Sequence, residues 1–449
     1  MKKFLLTTKN IDRSSFIWNM AGSMLMAFQS VIMLMILTRT LGLVESGIFT
    51  IAYANANLFL TIGKYGMRYF QVSDLKKQFA FSEYRASRVI TSAAMVIVSA
   101  IYVVYAASAN GYSMEKAWVI FWMCLFKVVD VVEDVYHGLY QQENRLDVAS
   151  KAMTLRMAVT IVIFAVGLIV LRDLLSVLIL STIATTILFV LLTKWTYGAF
   201  RQNNEHGGDS KVRINKGNLL LLLKLCFPLF AGSFLSYYIG NAPKYAIDAM
   251  LTDELQACYG FIAMPVFVIG LLNNFIFNPM LYQMSSLWER GNVRAFLKKT
   301  LFQTGIVALI TLVCITGAWL LGIPVLSWLY NTDLSAYKAE LLVLLLGGGF
   351  LGLSGLLNTV ITIIRYQKSL MWGYAFIAAL AFLFSDRIVR RYEMMGASVL
   401  YTVLMGGLCV VFAVLLAIGI RKNGKTVQKG GTNRHDESEH KNIISQHEK

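Results

Sequence analysis

The chain has 449 residues, of which 57% are hydrophobic and 15% charged, and its mean hydropathy is +0.60. Soluble proteins carry about a quarter charged residues, so a water-soluble globular enzyme is excluded and membrane helices are required. The formal net charge of +16 fits basic loops facing an anionic membrane surface and requires no nucleic-acid partner.

The opening "MKKFLLTTKNIDRSS" has basic ends but no apolar core long enough for a cleavable signal peptide, so the first span is expected to serve as the insertion signal. A bilayer core needs roughly 20 apolar residues per helix. About twelve stretches meet that need, at roughly 15–38, 46–63, 88–107, 117–140, 150–171, 174–195, 218–242, 256–283, 300–321, 339–361, 369–385 and 395–420. The fourth and eighth are long enough to imply tilt. Lys and Arg concentrate in alternate loops, which places both termini in the cytoplasm. Lys127 and Lys224 are expected inside spans. Arg387, Arg390 and Arg391 break the pattern, falling in the last outer loop.

The expected fold is an all-α integral membrane protein of about twelve transmembrane helices, in two six-helix lobes forming a parallel repeat around a central cavity. "AGSMLMAF" in the first span answers "AGSFLSYY" in the seventh. Six helices separate the copies, an even number, so both share one orientation. The expected division is an N-terminal lobe over 1–200, a polar linker over 201–217, a C-terminal lobe over 218–423 and a disordered tail over 424–449. Cys124, Cys226, Cys258, Cys314 and Cys409 stand singly and read as small hydrophobes. No phosphate-cradling glycine loop and no sizeable outer loop is present, so neither an ATP motor nor an extramembrane catalytic domain is expected. Neither a cofactor nor a resident metal is expected.

Rare polar residues carry the functional expectations. In the second span Thr50, Tyr53, Asn57, Thr61, Lys64, Arg68 and Gln71 fall on one stripe, hydroxyls and amides leading to two cations. Arg offers a donor fork and Lys a compact charge, and both suit phosphate oxygens. In the fourth span "KVVDVVEDVYH" sets Lys127, Asp130, Glu133, Asp134, His137 and Gln141 on one narrow face, while valines cover the rest. Charges in a span are costly and face a cavity or a partner. For Asp134, His137 and Gln141 an equally good reading is headgroup level, below the bilayer core. The seventh span aligns Ser233, Tyr237, Asn241, Lys244 and Asp248, and Lys244 and Asp248 are spaced to pair along the helix. Pro228, Pro243, Pro265 and Pro279 cluster in the seventh and eighth spans and imply bent helices. The tenth span ends a polar face of Ser354, Asn358 and Thr362 in Arg365.

"ILTRTLGLVESGIFTIAYA" resembles the start of bacterial polysaccharide and lipid-linked oligosaccharide flippases of the multidrug/oligosaccharidyl-lipid/polysaccharide (MOP) exporter superfamily. "CFPLFAGSFLSYYIGNAPKYAIDAMLTDELQACYGFIAMPVFVI" is similar to the opening of that family's second half. The resemblance spans most of residues 15–420. It implies two lobes that alternately open inward and outward, moving an undecaprenyl-diphosphate-linked glycan from the inner to the outer leaflet of the cytoplasmic membrane. Its partners would be the glycan substrate, membrane lipids and polysaccharide assembly proteins. Arg39 matches the arginine after the family's first helix, and Lys244 and Asp248 lie in its "APKYAID" element.

The mechanism expected from the faces has Lys64, Arg68 and Arg365 collect the pyrophosphate at the cytoplasmic mouth. Asn57, Thr61, Tyr237, Asn241 and Asn358 would line the sugar path. Asp130, Glu133 and Asp134, tuned by Lys127 and accompanied by His137 and Asp248, are the candidates for coupling to H⁺ or Na⁺. Rival readings are a multidrug–cation antiporter of the same superfamily, a sugar carrier of the major facilitator type, and a membrane-embedded glycan polymerase or ligase.

Overall fold

The computed structural model of the chain describes residues 2–74, 77–204, 215–277 and 280–447, those beyond Lys422 by backbone alone. In order the helices are α1 (Lys2–Leu6), α2 (Ile11–Leu41), α3 (Leu43–Lys64), α4 (Met67–Ser73), α5 (Phe81–Ala109), α6 (Met114–Gln142), α7 (Leu146–Leu171) and α8 (Leu174–Asn204). There follow α9 (Lys216–Met250), α10 (Asp253–Phe277), α11 (Leu281–Glu289), α12 (Val293–Gly317), α13 (Ile323–Tyr330), α14 (Lys338–Ile363) and α15 (Lys368–His447). Among the described residues there is no strand.

The helices begin where the sequence supplies acceptors for their first N–H groups, which would otherwise go unmet at a membrane boundary. Asn10 Oδ1 accepts from Arg13 N at 3.0 Å ahead of α2, and Ser113 Oγ accepts from Lys116 N at 3.1 Å ahead of α6. Gly42, at φ +94°, is the single residue that turns α2 into α3.

Nine helical stretches among the described residues are long and apolar enough to cross a membrane. α6 is not one of the nine, because Lys127, Asp130, Glu133 and Asp134 dilute its apolar run, although it is 29 residues long. Most of the spans read from hydropathy lie within observed helices whose ends run a few residues further, but the eighth, at 256–283, runs past the end of α10 at Phe277. The second, at 46–63, sits in Leu43–Lys64, and the tenth, at 339–361, in Lys338–Ile363.

Two expectations are corrected. Arg387, Arg390 and Arg391 do not lie in a loop: they stand in the last turns of a helix that begins at Lys368 and breaks at Glu393, φ +47°, where a second helix within α15 begins. The second-span stripe is also not one helix. α3 ends at Lys64, Tyr65 and Gly66 adopt left-handed backbone at φ +51° and +63°, and α4 starts afresh at Met67. Arg68 and Gln71 therefore sit on a separate short helix.

The chain divides into two compact units, residues 1–260 with 329–331, and residues 261–328 with 332–449. In the first unit α6 is the central helix, packed by α3, α5, α8 and α4, while α2 lies against α7 and α3. α9 also packs here, on α3 and α5. Its Leu222 and Cys226 are buried with Met67, Phe79, Tyr84 and Val135. In the second unit α14 packs against α15 and α12. Gly349 allows the α12 contact, because a Cβ there would sit 2.5 Å from Thr311 Cγ2. Residues 205–214 of the expected linker, and Pro279, lie outside the described residues.

Candidate functional site

The ionic face of α6 points into the first unit. Lys127, Asp130, Glu133, Asp134 and His137 are all at most 9% exposed, so each faces protein. Valines on the other faces of α6 leave the charges one direction to turn, toward α2, α3, α5, α7 and α8.

Those neighbours supply the partners. Lys127 Nζ lies 3.1 Å from Asp130 Oδ2 and donates to Gln29 Oε1 on α2 at 3.1 Å and Tyr53 Oη on α3 at 3.3 Å. It also stands 4.7 Å above the Tyr53 ring. Arg156, on α7, spans the next two acids. Its Nη2 is 2.6 Å from Asp130 Oδ1 and 2.7 Å from Glu133 Oε2, its Nε is 3.1 Å from Glu133 Oε1, and its Nη1 donates to Thr185 Oγ1 on α8 at 2.7 Å. Arg88, on α5, donates to Asp134 Oδ2 at 2.9 Å and to the Gly63 carbonyl at 2.7 Å. Arg68, half-buried on α4, reaches Gln141 Oε1 at 3.1 Å and Asp134 Oδ1 at 3.6 Å. His137 Nε2 is 3.8 Å from Glu133 Oε1 and makes no hydrogen bond.

The arrangement ties five long helices to α6 through Lys127 and three carboxylates. Four cations contact those acids, so the cluster carries more positive than negative charge. Lys64, half-buried in the last turn of α3, has no hydrogen bond or ion pair among the described residues. None of the three carboxylates is an open cation site, because each is already held by at least one fixed cation.

Sequence reasoning missed Arg156 and Arg88, the most deeply buried cations, each 1% exposed. Arg156 lies well inside the expected fifth span and Arg88 at the first residue of the third. An arginine inside an apolar run was the available signal.

The remaining candidates are placed as follows. Asn57 Nδ2 donates to Tyr53 O at 2.9 Å and Thr61 Oγ1 to Leu58 O at 2.6 Å, both within α3. On α9 Asn241 Nδ2 donates to Tyr237 O at 3.0 Å, and Tyr237 is 40% exposed. Lys244 does not pair with Asp248, which corrects the expected bond along the helix. Asp248 instead faces Lys116, whose Nζ lies 2.7 Å from Asp248 Oδ1, and it accepts from Tyr112 Oη. Lys244 is half-buried and without a hydrogen bond or ion pair among the described residues. Arg39 is exposed at the end of α2 and donates to Leu329 O at 3.1 Å. In the second unit Asn358 is half-buried on α14, and Arg365 is exposed just beyond it, at φ +58°. The five cysteines are free. No group of three or more His, Cys, Asp or Glu able to hold a metal occurs among the described residues.

Residues 13–286 match the model of a family described as polysaccharide biosynthesis protein. No curated protein matches the sequence. Among solved structures, the chain is similar to an inward-facing multidrug resistance MATE family transporter of the MOP superfamily, at TM-score 0.64 and 13% identity, over 90% of this chain and 96% of that one. A MOP superfamily transporter from Pyrococcus furiosus, for which a binding pocket of reversed polarity suggests a different function, aligns at TM-score 0.55 and 16% identity, over 95% and 98%. The Vibrio cholerae MATE transporter VcmN in its bent form aligns at TM-score 0.58 and 12% identity, over 93% and 98%. At such identities these likenesses speak to the fold. The fold of MOP superfamily transporters and the family match over more than half its length place this multi-pass membrane protein: the chain belongs to the polysaccharide biosynthesis protein family.

Proposed function

We propose that the cargo of this MOP superfamily membrane transporter is an undecaprenyl-diphosphate-linked oligosaccharide, a polysaccharide repeat unit. It is moved from the inner to the outer leaflet of the cytoplasmic membrane by alternating access, with both termini in the cytoplasm. The observation that carries this reading is the polysaccharide biosynthesis family match over residues 13–286.

The chemistry of the first unit supports it. Lys64 is a cation with no hydrogen bond or ion pair among the described residues, and Arg68, four residues on, is half-exposed. A diphosphate supplies the oxygens that such groups take. Asn57, Thr61 and Tyr53 lie along the same helix, and amides, hydroxyls and ring faces suit sugars. Asp130, Glu133 and Asp134 serve first as the counter-charges that hold six helices together. Coupling to H⁺ or Na⁺ through them would require displacing Arg156, Lys127 or Arg88.

Export of organic cations, as by multidrug members of the fold, is the second reading. The excess of cations around α6 disfavours it, since like charges repel in a low-dielectric site. The test is loss of the gene. Accumulation of one lipid-linked oligosaccharide on the cytoplasmic leaflet supports the flippase reading, and unchanged leaflet distribution with raised sensitivity to cationic dyes overturns it.

A further inference from the structure

At the end of the first unit where α5 stops and α6 begins, one ammonium joins three helices. Lys116, in the first turn of α6, is 7% exposed. Its Nζ lies 2.7 Å from Asp248 Oδ1 in the last turn of α9 and 2.6 Å from Asp253 Oδ1 at the start of α10. Tyr112, in the connection from α5, donates to Asp248 Oδ2, and the Lys116 ammonium stands 4.7 Å above its ring. These groups line a polar cavity of about 360 Å³.

The seat beneath the ion pair is fitted without side chains. A Cβ on Gly47 of α3 would lie 1.8 Å from the Asp253 carbonyl oxygen, and one on Gly260 of α10 would lie 2.8 Å from Thr50 Cγ2. The start of α10 thus rests on α3 only because both positions are glycine. Above the seat, two carboxylates share one cation and are therefore within a few ångströms of each other. With Lys116 between them the three helix ends are drawn together. Without it, two like charges, Asp248 buried and Asp253 half-buried, face one another and repel. Pro243, five residues before Asp248, removes a backbone donor from α9 and gives the helix a place to bend.

We propose that Lys116 is the bolt of a gate at this face, which is the outer one in the orientation given under the proposed function. The gate is closed when the ammonium bridges Asp248 and Asp253, and both bonds break when the outer face opens. The inference rests on the transporter reading, but its test needs no cargo.

A cysteine replacing Asn241 on α9, in full-length protein whose five native cysteines are replaced by Ala, reports access to the interior with a membrane-impermeant maleimide in sealed right-side-out and inside-out vesicles. Lys116→Met and, by a route that alters no charge, Gly47→Ala are each expected to speed labelling from the outer side several-fold and to slow it from the inner side. Lys116→Arg, which keeps the charge, is expected to label like the parent. Labelling unchanged from both sides in Lys116→Met and Gly47→Ala overturns the gate, whatever the cargo proves to be. A reducible thiosulfonate cross-link between cysteines placed at 116 and 253, spanning the reach of the lysine it replaces, is expected to hold the inward-accessible labelling pattern until reduced. Full outer labelling with that cross-link formed also overturns the gate. Loss of flipping with the labelling pattern intact would instead bear on the proposed cargo.

Discussion

Arg156 grips Glu133 with two parallel bonds, Nε to Oε1 at 3.1 Å and Nη2 to Oε2 at 2.7 Å, while the same Nη2 reaches Asp130 at 2.6 Å. The guanidinium is 1% exposed and Glu133 is 6% exposed. A fork-to-carboxylate pair of this kind is strong and geometrically exacting. Its removal from one side strands a charge in the protein interior.

Arg156→Ala is therefore expected to destabilise the protein by about 3–5 kcal/mol, the cost of leaving a buried ion without its partner. Arg156→Lys keeps the charge but loses the fork, and is expected to fall between parent and Ala. Thermal unfolding of the purified protein in detergent checks both. An Arg156→Ala protein as stable as the parent would remove α6 from its place as the hub of the first unit.

Asp130→Asn is expected to lower stability while leaving the response of transport to pH and Na⁺ gradients unchanged. Asp130 already meets Lys127 and Arg156, so it is a structural counter-charge before it is an ion site. Initial rates in proteoliposomes under imposed gradients decide the matter. A gradient response that disappears in Asp130→Asn would return ion coupling to this residue.

Lys64 and Arg68 are expected to separate. Lys64→Ala removes a cation with no hydrogen bond or ion pair among the described residues, although its charge acts on Asp130, Glu133 and Asp134, so it is expected to cost clearly less stability than Arg156→Ala. Its capture of a diphosphate lipid is expected to weaken. Arg68→Ala loses contacts to Asp134 and Gln141 and is expected to reduce both capture and stability. Binding titrations with a lipid-linked diphosphate, paired with unfolding midpoints, distinguish the two.

In the second unit, Gly349→Ala is expected to cost about 1–3 kcal/mol, because the new methyl meets the stiff, β-branched Thr311. Gly355→Ala, where a Cβ meets nothing within 4 Å, is expected to be neutral or to stabilise by up to about 1 kcal/mol through helix propensity. The pair shares a helix and a chemistry, so unfolding midpoints isolate packing.

The fold was legible because hydrocarbon thickness imposes a length on every apolar helix, and the runs from 46 to 63 and from 339 to 361 show it. The charged face of α6 was legible too, since a period of 3.6 residues reports which side chains share a side. The partners were not. Gln29 lies 98 residues from Lys127 and Arg156 lies 23 from Glu133, and no local pattern carries such distances. The same limit misled the pairing of Asp248, whose neighbour at i−4 is Lys244 but whose cation is Lys116, from a different helix. The break at Tyr65–Gly66 escaped because the polar stripe continues in phase across it. Arg387, Arg390 and Arg391 seemed to mark a loop because charge is rare in membrane helices; the break is there, but it falls at Glu393, just after the arginines, which remain helical.

The most direct measurement reconstitutes the purified protein in liposomes with an undecaprenyl-diphosphate-linked oligosaccharide and follows its transfer between leaflets. Protein-dependent transfer, weakened in folded Lys64→Ala protein, is the expected result. Absence of transfer by folded protein that exports cationic dyes, or that lengthens the glycan instead, would contradict the assignment.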